Sequence, residues 1–240
     1  MFTIALIGPD GTGKSTISKK LQELLPLPMK SIYMGINQEA ANLTLPTTRL
    51  WKKIKEARGR LANMGGPPDP SRLQSLPVNP LKRVARELRS GLWIANLIAE
   101  EWFRQIVTWY YLSRQHIVIF DRHFYFDYYK YHIADNAVGR TIGEQVHGFI
   151  LGHIFPKPDL VIFLDAPAEV LFARKQEGSI ELLEQRRKEY LQFQGVVKRF
   201  ITVDTTQSVE EVANGVGVLI MDFYHSRKRL GKVKPTSELR

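Results

Sequence analysis

Gly8-Pro9-Asp10-Gly11-Thr12-Gly13-Lys14-Ser15-Thr16, directly behind the apolar run Thr3-Ile4-Ala5-Leu6-Ile7, decides how the rest of the chain reads. The stretch fits G-x-x-x-x-G-K-[ST] between a strand and a helix, where backbone N–H groups cradle the phosphates of a nucleotide. Glycines let such a loop turn its amides inward with no side chain blocking a polyanion. Lys14 adds a point charge for the β- and γ-phosphates, the Ser15 hydroxyl suits Mg²⁺, and the helix that opens here offers its positive dipole end. Gly8, Asp10, Gly11, Thr12, Gly13, Lys14, Ser15 and Thr16 are the expected nucleotide-binding residues.

At 240 residues the chain is long enough for one α/β domain with a full core and too short for two ordinary domains plus linkers. It has no cysteine, which excludes disulfides, thiolate metal sites and cysteine nucleophiles and fits a reducing compartment. A first strand starting at Thr3 leaves no room for a signal peptide, so a cytoplasmic location is expected. The apolar-looking stretch Leu92 to Leu112 carries Glu100, Glu101 and Arg104 in its middle, so it reads as a buried helix and not a membrane span.

The net charge of +10 is concentrated, with eleven basic against three acidic residues between Arg49 and Arg89. A second cluster, Arg227-Lys228-Arg229 with Lys232 and Lys234, lies near the C-terminus. These clusters fit an anionic substrate, an anionic membrane surface or nucleic acid, and equally a solvated helix face with a frayed tail.

Short apolar runs alternating with amphipathic stretches predict a parallel sheet with helices on both faces. The expected strands are Thr3–Ile7, Lys30–Met34, His116–Phe120, Leu160–Leu164 and Phe200–Val203. Helices are expected from the phosphate loop to Leu25, from Pro80 to about Arg114 with a break near Gly91, and from about Arg140 to Ile154. Three more follow at Ala168–Lys175, Ile180–Phe193 and Val209–Phe223. Thr141…Glu144 and Ser208…Glu211 read as capping boxes. The segment 35–79 interrupts the rhythm as a basic insertion, with a helix over Thr47–Leu61 and then Gly65-Gly66-Pro67-Pro68-Asp69-Pro70. This gives a single domain over 1–224, with the insertion at 35–79 and a lid at 175–187, followed by a basic tail at 225–240.

Val118-Ile119-Phe120-Asp121-Arg122 delivers an acid and a base to the carboxyl end of a strand, where parallel sheets gather ligands. Asp121 suits Mg²⁺ or the attacking oxygen, and Arg122 can clamp a phosphate in two-point fashion. Arg174-Lys175, the link Gln176-Glu177-Gly178-Ser179 and Arg186-Arg187 have the make-up of a lid that folds over a triphosphate. Glu100 and Arg104 form an i,i+4 pair or reach toward an acceptor. The aromatic run Phe124 to Tyr131 lines an acceptor pocket or packs in the core. The six histidines show no metal-ligand spacing.

The phosphate loop, Asp121-Arg122, Pro158-Asp159-Leu160…Leu164-Asp165-Ala166-Pro167 and Val203-Asp204-Thr205-Thr206-Gln207-Ser208 resemble, in order and spacing, the thymidylate kinase-like branch of the P-loop nucleoside monophosphate kinases. The resemblance covers about residues 1–34 and 95–223. It implies a P-loop NTPase fold, ATP as phosphate donor with Mg²⁺, and a phosphorylated acceptor, foremost a nucleoside monophosphate. By resemblance, Asp10 faces the acceptor, often its sugar; Arg122 holds the acceptor phosphate; Arg174 packs on adenine; Arg186 and Arg187 belong to the lid. Lys14, Asp121, Arg122, Arg186 and Arg187 are the expected catalytic residues, Ser15 and Asp121 the metal-binding ones, and Asp10, Arg104 and Arg122 the acceptor-binding ones.

Two departures concern the acceptor side. Where the family shows Arg-Glu-Pro-Gly, this chain reads Tyr33-Met34-Gly35-Ile36-Asn37. Where a Ser and then Tyr-Gln follow the Asp-Arg pair, it reads His123-Phe124-Tyr125-Phe126-Asp127-Tyr128-Tyr129. A sugar, lipid head group or other metabolite is the alternative acceptor, and a nucleotide-dependent membrane- or nucleic-acid-binding module is the alternative of another class. A second copy of the chain is a further candidate partner.

Overall fold

The computed structural model describes residues 1–37, 43–50, 80–134, 140–176 and 178–232. Five strands form one parallel sheet: β1 (Thr3–Ile7), β2 (Met29–Tyr33), β3 (Ile117–Asp121), β4 (Leu160–Asp165) and β5 (Phe200–Asp204), in the order β2-β3-β1-β4-β5. The main helices are α1 (Lys14–Leu24), α2 (Pro80–Ser113), α3 (Phe124–Tyr128), α4 (Ile142–Phe149), α5 (Ala168–Lys175), α6 (Ile180–Leu191) and α7 (Val209–Lys232). β1 lies at the centre, pairing Ile4 with Ile119 on one side and with Leu160 on the other.

The strands are apolar almost throughout because both faces are covered. Successive side chains point to opposite faces. Ile4, Leu6, Ile119, Ile162 and Leu164 pack with Ile17 and Leu21 of α1 and with Val212, Val216, Ile220 and Phe223 of α7. Those α7 positions recur at helical spacing and give one apolar stripe. Ala5, Ile7, Val118, Phe120 and Phe163 form the other core with Ile94 and Leu97 of α2 and with Phe124, Tyr125 and Phe126 of α3. The run that begins at Phe124 is therefore core up to Tyr128, which is 1% exposed.

The first strand, Thr3–Ile7, is observed with its expected bounds, and the other four differ from expectation by a residue at their ends. The expected break near Gly91 is absent, and α2 is continuous from Pro80 to Ser113. An interior glycine costs a helix only about 1 kcal/mol relative to alanine, less than its packed stripe returns. α4 ends at Phe149 and passes into a π turn, Ile150–Ile154. A second π turn, Tyr129–Ile133, extends α3. Its backbone touches α4 so closely that a Cβ on Gly148 would lie 1.8 Å from the carbonyl oxygen of His132.

α7 continues beyond the expected Phe223 to Lys232, so Arg227-Lys228-Arg229 is helical. Cations in a last turn complement the helix dipole and do not by themselves end a helix. Of the helix expected at Thr47–Leu61, residues 47–50 are helical, and the helix begins one residue earlier, at 46. The remainder, the glycine-proline run and the end of the basic tail lie outside the described residues. Among the described residues no helix is long and apolar enough to cross a membrane. In place of a span, α2 buries Glu100, Glu101, Arg104 and Thr108. Glu101 bonds His147 Nε2 at 2.9 Å, and His147 Nδ1 lies 2.6 Å from His132 Nδ1. Burial lowers the pKa of each imidazole to about 4.

Candidate active site

Every element of the site ends at the carboxyl edge of the sheet, where β1, β3 and β4 run side by side. The loop after β1 takes left-handed or otherwise positive φ at Gly8 (146°), Gly11 (91°) and Gly13 (80°). A Cβ on Gly8 would stand 2.3 Å from the Leu164 carbonyl oxygen, and one on Gly11 would stand 2.8 Å from that of Leu171. The glycines therefore let the loop close onto β4 and α5. Thr12 Oγ1 donates to the Pro9 carbonyl at 2.9 Å and holds the turn. Gly13 caps α1 with no side-chain hydrogen bond, so the first-turn amides there keep their capacity for an anion.

Lys14 Nζ donates to the carbonyl oxygens of Gly8 (2.8 Å) and Pro9 (2.7 Å). Burial, with Arg122 nearby, lowers its pKa to about 7 against the pull of Asp10 and Asp121. Ser15 Oγ donates to Asp121 Oδ2 at 2.5 Å, joining the start of α1 to the end of β3. A hydroxyl and a carboxylate so placed are hard oxygen donors that fit Mg²⁺, which takes one or two protein ligands and completes its shell with phosphates and water. No cluster of three or more acidic, histidine or cysteine ligands occurs among the described residues.

Arg122, the residue after β3, has φ 66° in the left-handed region, and its N–H donates to the Leu6 carbonyl at 3.1 Å. A non-glycine residue in that region costs on the order of 1 kcal/mol or more. This backbone turn sends the guanidinium to the phosphate loop, where it pairs with Asp10 Oδ1. Asp10 Oδ2 accepts from Arg186 of α6 at 2.9 Å. Burial would raise the pKa of Asp10, but Arg122, Lys14, Arg186 and Lys175 outweigh it and bring the group to about 2.

Arg187 grips both oxygens of Asp165 at 2.7 and 2.8 Å and so ties α6 to the end of β4. Arg174 donates to the Thr205 carbonyl at 2.8 Å. It borders a cavity of about 270 Å³ with Gly11, Gly13, Thr16, Gln207 and Val212, beside the phosphate loop and between α5 and α7.

Arg104 forms the i,i+4 pair with Glu100, the first of its two expected readings. Its side chain is 1% exposed in the core, where it donates to Glu100 Oε1 at 2.9 Å and to the carbonyls of Leu43, Tyr33 and Gly35 at 3.1 to 3.3 Å. It pins the segment that follows β2. Glu100 completes the staple by accepting from Leu45 N–H and Thr48 Oγ1.

Sequence reasoning passed over Asp127 and Tyr33. Asp127 Oδ2 accepts from the Ile36 N–H at 3.3 Å, and the Tyr33 hydroxyl accepts from Asn37 N–H at 3.2 Å. Burial raises the pKa of Asp127 while Arg122 and Lys14 act to lower it. The available signal was an acidic residue inside an otherwise aromatic run.

The family model described as "Thymidylate kinase" matches residues 82–216, more than half of the chain. A thymidylate kinase from Lactobacillus helveticus (strain DPC 4571) is 26% identical over 231 residues, covering 90% of this chain and 93% of that protein.

Proposed function

From the premise that the chain belongs to the thymidylate kinase family, we propose a direct phosphoryl transfer from ATP·Mg²⁺ to the phosphate of a nucleoside monophosphate at this site. The chain is a P-loop nucleotide kinase, an ATP-dependent phosphotransferase acting on nucleoside monophosphates. The matches support neither the metabolite-kinase nor the binding-module alternative.

The observation that carries the mechanistic reading is the meeting of Arg122, Asp10 and Arg186 beside Lys14. Three cations converge where an acceptor phosphate and a γ-phosphate would stand. In-line attack needs no covalent enzyme intermediate, so catalysis is positioning plus charge neutralisation. Lys14 and the loop amides hold the donor phosphates, Arg122 orients the acceptor oxygen, and Arg186 brings the lid's charge to the transferred group. Ser15 and Asp121 would hold Mg²⁺, which when bound neutralises phosphate charge. The cavity beside Arg174 and Gln207 takes the adenine of ATP.

We further propose that thymidylate is matched or exceeded as acceptor by another nucleoside monophosphate. Its support is that the altered stretches, Tyr33–Asn37 and His123–Tyr129, fold against each other at the acceptor side through Asp127 and Ile36. Arg122→Lys tests the reading, because lysine cannot form the planar two-point contact. The expected result is a fall in kcat/KM for the acceptor of about 100-fold with little change in ATP affinity. Loss of ATP binding with unchanged acceptor kinetics would contradict it.

A further inference from the structure

The π turn Tyr129–Ile133 is gripped from two sides by residues outside the phosphate site. On its inner side His132 is 4% exposed, and its Nδ1 lies 2.6 Å from Nδ1 of His147, which is fully buried on α4. His147 Nε2 in turn meets both oxygens of Glu101 of α2, at 2.9 and 3.0 Å. The Tyr128 ring stacks on His132 at 4.8 Å and stands edge-on to His147 at 4.9 Å. Arg140 donates to the His132 and Ala134 carbonyls. On the outer side Lys130 Nζ donates to Glu189 Oε1 of α6 at 2.6 Å. Glu189 lies one turn beyond Arg186 on the same helix.

Two imidazoles that face each other through Nδ1 bond only when one donates and the other accepts. Glu101, at the far nitrogen, orients the His147 ring and sets what its Nδ1 offers. A chain so buried is costly to leave half-paired, so it holds a single arrangement and fixes the backbone that carries it. π turns are rare and concentrate at functional sites. This one stands between α3 and α6, with the Tyr129 ring edge-on at 4.9 Å to Phe193, which lies just past the end of α6. An ion pair between exposed side chains contributes little by itself. The Lys130 side chain is 48% exposed, so its hold on α6 depends on a backbone already fixed from within.

We propose that His132 is a positioning residue for phosphoryl transfer: locked to His147 and Glu101, it fixes the π turn so that Lys130 seats α6 and keeps Arg186 at Asp10. The inference rests on the reading of the chain as a nucleoside monophosphate kinase. The buried chain thereby ties the helix that follows Arg122 to the helix that carries Arg186.

The test measures kcat, both KM values and amide hydrogen exchange for wild type, His132→Leu, His132→Asn, Lys130→Met and the double variant His132→Leu/Lys130→Met. Leucine removes the Nδ1 contact, whereas the asparagine amide places a donor and an acceptor near where Nδ1 stands. The expected result is a fall in kcat of about 10-fold in His132→Leu and in Lys130→Met, as for displacement of a group by a change remote from the chemistry. Both KM values should stay within about 2-fold of wild type. The double variant should lose no more than either alone, because the two residues act in one chain. Asparagine should restore most of kcat. Amides of α6 should exchange at least about 5-fold faster in His132→Leu and Lys130→Met, and those of α7 at the wild-type rate. A residue that only stabilises the fold would lower Tm without loosening α6 selectively. Additive losses, a kcat that asparagine does not restore, or wild-type exchange of α6 in both single variants overturn the inference. Lys130→Met alters a half-exposed side chain and decides the matter if His132→Leu fails to fold: wild-type kcat and α6 exchange in it overturn the inference. If wild type forms no nucleoside diphosphate, the kinase reading fails, and exchange of α6 in the same variants still decides whether His132 seats that helix.

Discussion

Asp10 shows how much single residues contribute here, because one carboxylate carries both Arg122 and Arg186. Its pKa, near 2 when folded against 3.8 ordinarily, makes folding sensitive to acid. The unfolded chain takes up the proton first as pH falls, so the stabilisation is complete above about pH 4 and is lost as pH drops through 2. A shift of this size corresponds to about 2 kcal/mol. Melting curves of wild type and Asp10→Asn without ligand should differ most at pH 5 and converge by pH 2; a constant difference would contradict the assignment.

Lys14 yields a second prediction at the same scale. With its pKa near 7 in the free protein, it is largely neutral at pH 8, and the phosphates of ATP would protonate it. Calorimetry in buffers of different ionisation heat should show proton uptake on ATP binding at pH 8 that vanishes in Lys14→Ala. That variant should also lose at least about 100-fold in turnover. These residues were legible in the sequence because a phosphate loop is fixed by backbone spacing. The contact of Asp127 was not, since its partner Ile36 lies 91 positions away. Arg104 was half legible: its i,i+4 partner Glu100 could be read, but not the carbonyls of Tyr33, Gly35 and Leu43 that hold it.

Elements were readable where local signals close on themselves. The Thr141 box is formed, with Glu144 N–H donating to Thr141 Oγ1 at 3.3 Å and Glu144 Oε2 accepting from Thr141 N–H at 2.7 Å. Ser208 and Glu211 repeat it at the start of α7. Thr141→Ala should cost about 1 kcal/mol and lower Tm by roughly 2–4 °C, with kcat unchanged. A loss of activity without a loss of stability would show that α4 does more than pack against α2. The continuity of α2 past Gly91 and the end of α7 were harder to read, because packing decides where a helix stops and no short motif marks it. In α6, Arg186 and Arg187 adjoin in sequence yet bond different partners, Asp10 and Asp165. Arg186→Ala should lower kcat, whereas Arg187→Ala should also loosen α6 from the end of β4 and speed proteolysis there.

At the scale of the molecule, the alternation of strands and helices foretold a parallel sheet, but the order β2-β3-β1-β4-β5 comes from how the crossovers pack. That order sets β1 between β3 and β4 and so brings Asp121 and Asp165 to either side of the phosphate loop. The basic stretch within residues 51–79 lies outside the described residues. The central claim is that this edge moves a phosphoryl group from ATP to a nucleoside monophosphate. The direct measurement is product identification by mass spectrometry after incubation with ATP, Mg²⁺ and each of a panel of nucleoside monophosphates. The account predicts equimolar ADP and nucleoside diphosphate, formed only when a monophosphate is present and abolished by Lys14→Ala. ADP with inorganic phosphate and no diphosphate, for every monophosphate tried, would contradict it.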